Sequence, residues 1–153
     1  MAAHLTIGFL GAGKMATALA RGFIQAGLVT AEQVVASDLS EAAREHFTKE
    51  VGAKTTASNL EVVRFARVVI LAVKPDHVAE VLAEIRADVT EQHLLVSIAA
   101  GVPLAKLEAG LESRTRVIRV MPNTPSLVGA SATGLALGKS ARPEDGKLAQ
   151  NLF

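Results

Sequence analysis

The sequence predicts an α/β domain, a doubly wound, mostly parallel sheet with helices on both faces. Three observations carry that prediction. Short β-branched apolar runs alternate with stretches of helical apolar spacing along the whole chain. One of those runs, Val68 to Val73, is apolar on both pleat faces, as a strand covered from above and below must be. The first run stops at Gly11-Ala12-Gly13, a tight turn between a strand and a helix. Right-handed crossovers follow from the twist of the strands.

Taken in order, Leu5 to Leu10 is the first strand. From Lys14 to Ala26 the larger apolar residues Met15, Leu19, Phe23 and Ala26 recur at helical spacing, and Gly27 stands where a C-terminal glycine belongs. Gln33 to Ala36 reads as a second strand. Ser40 caps a second helix with Ala43, Phe47 and Val51 on one face, and Ala53 to Thr56 is a short third strand. After Val68 to Val73, Pro75 opens a helix, because its missing amide hydrogen is harmless in a first turn. Val78, Val81, Leu82 and Ile85 form the inward stripe. Leu94 to Ile98 and Arg116 to Val120 supply two more strands, with a short helix near Pro103 to Ala109 between them. A last helix starts at Pro143 with Leu148 and Leu152 on one face, and the chain stops within it, as expected of a piece of something longer.

Half of the 153 residues are hydrophobic and a fifth are charged, which suffices for one domain with a real core and excludes a disordered chain. Without cysteine there is no thiolate nucleophile, disulfide framework or Cys-based metal site. A net charge of +1, five Phe and no Trp or Tyr offer neither a basic stripe nor a stacking platform, so no nucleic-acid partner is expected. The most apolar run is far shorter than the roughly 20 residues a membrane-spanning helix needs. The N-terminus has no basic leader and no cleavage site, so a cytoplasmic protein without a membrane partner is expected. His4, His46, His77 and His93 are scattered without metal spacing, and no metal is expected.

Gly11-Ala12-Gly13-Lys14-Met15-Ala16 is a G-x-G-x-x-A sequence in strand-to-helix context. Gly11 permits the turn, Gly13 lets a pyrophosphate approach the backbone, and Ala16 lets helix and strand pack closely. The free amides of the helix start then face the anion. Asp38 closes the second strand. An acid there accepts bonds from an adenosine ribose and repels a 2′-phosphate, which favours NAD over NADP. An aspartate two residues before Ser40 also serves as a turn or capping group, and both readings stand. Lys14 either reaches a phosphate or is a solvated charge at a helix end.

In such a sheet ligands bind beyond the carboxyl ends of the strands, so the other loops on that edge belong to the same site. They are Ala72-Val73-Lys74-Pro75, Ala99-Ala100-Gly101 and Met121-Pro122-Asn123-Thr124-Pro125. Small residues let a flat ring lie against the backbone, and the prolines hold Asn123 and Thr124 stiffly. Pro122, Asn123 and Thr124 are therefore assigned to the nicotinamide and substrate side. Arg114, Arg116 and Arg119 read as solvated or ion-paired rather than as an anion patch.

Together with Ser97-Ile98-Ala99-Ala100-Gly101-Val102, Arg119-Val120-Met121-Pro122-Asn123-Thr124-Pro125 and Val128-Gly129, these motifs resemble the N-terminal domain of pyrroline-5-carboxylate reductases. That domain is Rossmann-like and dinucleotide-binding, and the resemblance is ordered and covers nearly the whole chain. It implies hydride transfer from NADPH or NADH to the cyclic imine 1-pyrroline-5-carboxylate, giving L-proline in the last step of proline synthesis. It implies Leu10, Gly11, Ala12, Gly13, Lys14 and Met15 around the pyrophosphate, Asp38 at the adenosine ribose and Asn59 on the adenosine side. Ala72, Val73, Lys74 and Pro75 would run along the dinucleotide, with Ala100 near the nicotinamide. Two positions depart from the family pattern: Lys14 stands where asparagine or glutamine is common, and Asp38 where a serine often sits. They push cofactor preference in opposite electrostatic directions.

The family continues into a helical C-terminal domain, with a Gly-Gly-Thr segment, that forms the dimer and much of the substrate pocket. Residues 1–153 are accordingly expected to be a dinucleotide-binding domain truncated before that part. Such a chain should bind cofactor, turn over its small imino-acid substrate poorly or not at all, and join a homo-oligomer only within the longer protein. No general acid is identified in it. Two other readings share the motifs: another NADP-linked reductase or dehydrogenase of similar build, acting on a hydroxy acid or a deazaflavin, and a nucleotide-binding module without catalysis.

Overall fold

The computed structural model describes residues 4–122 and 132–153, apart from the side chains of residues 122, 132 and 133. The chain runs β1 (Ile7–Leu10), α1 (Lys14–Gln25), β2 (Val34–Ser37), α2 (Glu41–Val51), β3 (Lys54–Thr56), α3 (Asn59–Phe65) and β4 (Val68–Leu71). It continues through α4 (Val78–Ile85), β5 (Leu94–Ser97), α5 (Leu104–Ala109), β6 (Arg116–Pro122), β7 (Ala132–Leu137) and α6 (Pro143–Leu152). Single 3-10 turns at Ala31–Gln33 and Pro75–His77 lead into β2 and α4.

Among the described residues seven strands form one sheet in the order β3-β2-β1-β4-β5-β6-β7. β1 to β6 are parallel, and β7 pairs antiparallel with β6 across an irregularity between Val120 and Pro122. This is the Rossmann-like α/β fold that the sequence predicts. Its central strands β1, β4 and β5 are buried at every position, which is why they read as continuous apolar runs rather than as alternation.

Each face of the sheet carries its own core. On one face α1, α2 and α6 pack over Ile7, Phe9, Ile70 and Val96; on the other α3, α4 and α5 pack over Leu10, Val69, Leu71 and Leu95. Phe9 anchors the first core, its ring centroid 6.2 Å from that of Phe23 and 6.0 Å from that of Phe47. The last helix belongs to this core too: Ala149 and Leu152 are buried, and the Phe153 ring stands edge-on to Phe23 at 5.7 Å. A buried ion pair, Arg116 Nη1 to Asp145 Oδ1 at 2.6 Å, ties α6 to the start of β6.

Two elements were not expected. Helix α3 fills the crossover between β3 and β4, where Ser58 Oγ accepts the Glu61 amide as an N-cap. It lies so close to β1 that a side chain at Gly8 would collide with Val62 and Ala66. The antiparallel β7 extends the sheet past β6, which itself runs to Pro122 rather than ending at Val120. Pro75 starts a single 3-10 turn, and regular α-helix begins only at Val78.

Candidate functional site

Chain direction across the sheet reverses between β1 and β4, which makes their carboxyl ends a topological switch point, where open α/β sheets bind ligands. The glycine turn lies there. Gly11 has φ +105°, and a Cβ on it would sit 2.7 Å from the Ala72 carbonyl oxygen, so this position needs glycine for two independent reasons. The Ala72 amide donates to the Leu10 carbonyl at 2.8 Å, joining the segment after β4 to the turn.

A second set of bonds ties the turn to the end of β2. Gly11 N donates to the Ser37 carbonyl at 2.8 Å. Ala12 N donates to Asp38 Oδ2 at 3.0 Å, while Asp38 Oδ1 accepts the Ser40 amide at 2.9 Å. The turn-and-cap geometry of Asp38 is therefore present, and it includes a long-range latch onto the glycine turn. Arg44 braces the same corner, its Nη1 donating to the carbonyls of Asp38 at 2.8 Å and Leu39 at 3.2 Å.

What the turn leaves open is the start of α1. Gly13 is the N-cap, with no side-chain cap and no acid in the first turn of this twelve-residue helix. The first helical bond runs from Thr17 N to the Gly13 carbonyl at 3.0 Å, and Thr17 Oγ1 donates to the same oxygen at 2.8 Å. The amides of Gly13, Lys14, Met15 and Ala16 precede that bond and have no acceptor among the described residues. Gly13 is exposed, with no atom within 4 Å of where a Cβ would stand. Unpaired amides, the positive end of the helix dipole and the exposed Lys14 together form a site for an anion.

The donors toward that anion are fewer than the sequence motif suggests. Leu10 has its side chain fully in the core and its carbonyl bonded to Ala72, so it shapes the turn without facing a ligand. Ala12 is buried and its amide is held by Asp38. Open amides remain on Gly13, Lys14, Met15 and Ala16.

The other expected residues gather on the same edge. Asn59, in the first turn of α3, receives a bond on Oδ1 from Ser37 Oγ at 2.6 Å, which turns its NH2 group away from the buried serine. Ala72 and Val73 are half-buried, Lys74 and Pro75 exposed, and Ala100 is exposed beside Gly101, whose φ is +72°. Pro122 is the last residue of β6. Asn123 and Thr124 lie outside the described residues.

Sequence reasoning missed Ser37, Thr17 and Arg44. Their signals were a hydroxyl closing an otherwise apolar strand, a hydroxyl four residues after the cap glycine, and an arginine one turn into α2. The arginines near β6 divide between ion pairs and one buried nitrogen without a partner among the described residues. Arg116 is paired with Asp145, Arg114 lies 4.0 Å from Glu91 in solvent, and Arg119 Nε is buried without a partner among the described residues. His93 bridges the Val63 carbonyl and the Thr90 amide, a structural role. Among the described residues no group of three or more His, Asp or Glu could hold a metal ion, and no helix is long and apolar enough to cross a membrane.

Known proteins match both the sequence and the shape. A pyrroline-5-carboxylate reductase of Methanosarcina acetivorans is 45% identical over 147 residues, covering 96% of this chain and 54% of the relative. A solved pyrroline-5-carboxylate reductase of Coxiella burnetii superposes with a TM-score of 0.90 at 30% identity, covering 98% of this chain and 56% of that one. The crystal structure of Plasmodium falciparum pyrroline carboxylate reductase with NADP bound gives a TM-score of 0.85 at 32% identity, covering 97% and 54%. The resemblance read from the motifs is borne out, and the chain spans about half the length of the relatives it matches. The family described as NADP oxidoreductase coenzyme F420-dependent matches residues 6–101, well over half of the sequence, and the chain belongs to that family.

Proposed function

We propose that this chain is the dinucleotide-binding part of a reductase that converts 1-pyrroline-5-carboxylate to L-proline with NADPH or NADH, in the cytoplasm. The observation that carries the reading is the bare N-terminus of α1 at the switch point, in a chain 45% identical to a pyrroline-5-carboxylate reductase across almost its full length. The residues present fit a dinucleotide: an open anion site stands at the end of β1, polar groups at the ends of β2 and α3, and small residues after β4 and β5.

In this reading Gly13, Lys14 and Met15 bind the diphosphate through their amides, while Leu10, Gly11 and Ala12 shape the turn beneath it. Asp38 and Asn59 meet the adenosine, Ala72, Val73, Lys74 and Pro75 line the path between the two ends, and Ala100 lies at the nicotinamide. Pro122, Asn123 and Thr124 stand on the substrate side. When bound, the nicotinamide supplies the hydride. The chain's own task is to orient a flat ring at near-attack distance and to keep water from it, which suits glycine, alanine and proline better than a nucleophile and base.

The relatives are about twice as long as this chain. We propose that the longer protein adds a helical domain that completes the imino-acid pocket and forms a homo-oligomer. Fluorescence titration of the chain with NADPH and NADH tests the first half of the proposal, and assay of the full-length protein with the cyclic imine tests the second. Absence of binding to either dinucleotide would refute the proposal. Binding without imine reduction by the full-length protein would move the assignment to another reductase of the same build or to a non-catalytic module.

A further inference from the structure

The amides that meet the diphosphate are held by no cap, and something has to fix the direction in which they point. We infer that Thr17 is a positioning residue of that site, its hydroxyl locking the peptide between Gly13 and Lys14 so that the Lys14 amide faces the diphosphate. The inference rests on the dinucleotide reading above.

The Gly13 carbonyl receives two donors, Thr17 N at 3.0 Å and Thr17 Oγ1 at 2.8 Å. The first is the ordinary helical bond, and the second is extra. A trans peptide is planar, so its carbonyl oxygen and its N–H point in opposite directions. Holding the Gly13 oxygen toward the body of α1 therefore holds the Lys14 hydrogen outward, at the open end of the helix. Bonds accepted by the oxygen also polarise the peptide and make its N–H a stronger donor to an anion.

Little else fixes that plane. Gly13 is exposed, no atom lies within 4 Å of where its Cβ would stand, and a glycine turns more freely than any other residue. The bonds that tie the turn to β2 and Asp38 hold the amides of Gly11 and Ala12 and stop one residue short of Gly13. Thr17, by contrast, is only 6% exposed, between buried Ala16 and Leu19 on α1. Branching at Cβ leaves its χ1 few choices, so the hydroxyl is a rigid anchor for a flexible residue.

Neither the helix nor the core calls for that hydroxyl. A side chain that bonds back to a carbonyl one turn earlier does not strengthen a helix, and threonine is a weaker helix former than alanine. An apolar residue of the same shape would fill the buried position equally well.

The test is fluorescence titration of the 153-residue chain with NADPH and NADH, for the unaltered sequence, Thr17→Val and Thr17→Ser, with thermal unfolding followed by circular dichroism. Thr17→Val keeps the shape and the helical bond and removes only the hydroxyl. It should unfold at the same temperature as the unaltered chain or higher, while binding both dinucleotides about three- to tenfold more weakly, by the same factor because both carry the diphosphate. Thr17→Ser, which keeps a hydroxyl, should restore both affinities to within about twofold. Thr17→Ala takes the place of the valine variant if that chain fails to fold. Unchanged affinity in a folded variant without the hydroxyl overturns the inference, as does a loss confined to one dinucleotide or a loss that Thr17→Ser does not restore. Failure of the unaltered chain to bind either dinucleotide overturns the underlying reading and the inference with it, a result distinguishable from the others.

Discussion

Helices α1 and α2 begin at neighbouring strand ends, and their first turns are completed in opposite ways. Helix α2 closes its own N-terminus: Ser40 Oγ accepts the Ala43 amide at 3.2 Å, and Glu41 sits in the first turn against the dipole. Helix α3 does the same with Ser58 and Glu61, and α6 with Asp145, whose Oδ2 accepts the Arg142 amide at 2.8 Å. Helix α1 has neither a cap nor an acid, although its twelve residues and buried stripe make it the longest helix on its face of the sheet among the described residues. Among the described residues only α5 shares both omissions, and its six residues align far fewer peptide dipoles. Helices α2, α3 and α6 complete their own N-termini and α4 carries Glu80 in its first turn, whereas α1, at the switch point, is left bare, which suits an anion from outside.

Substitutions at these ends separate the two kinds of terminus. The largest loss of stability is expected for Asp145→Ala, which strips the closed end of α6 and leaves Arg116 buried without its partner. Denaturant unfolding should show a loss of about 3 kcal/mol or more, with dinucleotide affinity changed by less than about twofold, because the Arg116–Asp145 pair lies at the amino end of β6, on the sheet edge opposite the glycine turn. Gly11→Ala attacks the turn beneath the open end. A Cβ at φ +105° and 2.7 Å from the Ala72 oxygen should cost roughly 2 kcal/mol. It should also weaken NADH and NADPH at least about tenfold, since the turn must shift to accommodate it. The smallest effect belongs to Ser40→Ala, where losing the α2 cap should cost about 1 kcal/mol and leave both affinities unchanged.

The contrast between the two ends was largely visible in the sequence. The central strands announce themselves as unbroken apolar runs, and Ser40 before Glu41 and Gly11-Ala12-Gly13 before Lys14 are local patterns that no tertiary contact has to supply. Helix α3 escaped because seven residues hold too few turns to show a period, although Ser58 followed by Glu61 marked its start. Strand β7 escaped because Ala132, Gly134 and Ala136 offer little apolar alternation, and its pairing with β6 rests on long-range register. At the site, the latch from Asp38 to Ala12 and the bond from Ser37 to Asn59 join residues from different elements, which local spacing cannot reveal. They decide which amides stay free. The motif alone therefore overstated the part of Leu10 and Ala12 and left Asp38 between two roles.

The claim that the first turn of α1 is reserved for an anion is tested most directly at Gly13. Its backbone, at φ −80° and ψ −165°, suits any residue, and no atom lies within 4 Å of the missing Cβ. An aspartate fits there and becomes the cap that α1 lacks, placing its carboxylate where the diphosphate would lie. Gly13→Asp should unfold at the same denaturant concentration as the unaltered chain or be more stable by up to about 1 kcal/mol, while its affinity for NADH and NADPH falls at least about a hundredfold. A folded Gly13→Asp chain that binds either dinucleotide as tightly as the unaltered chain would contradict the account.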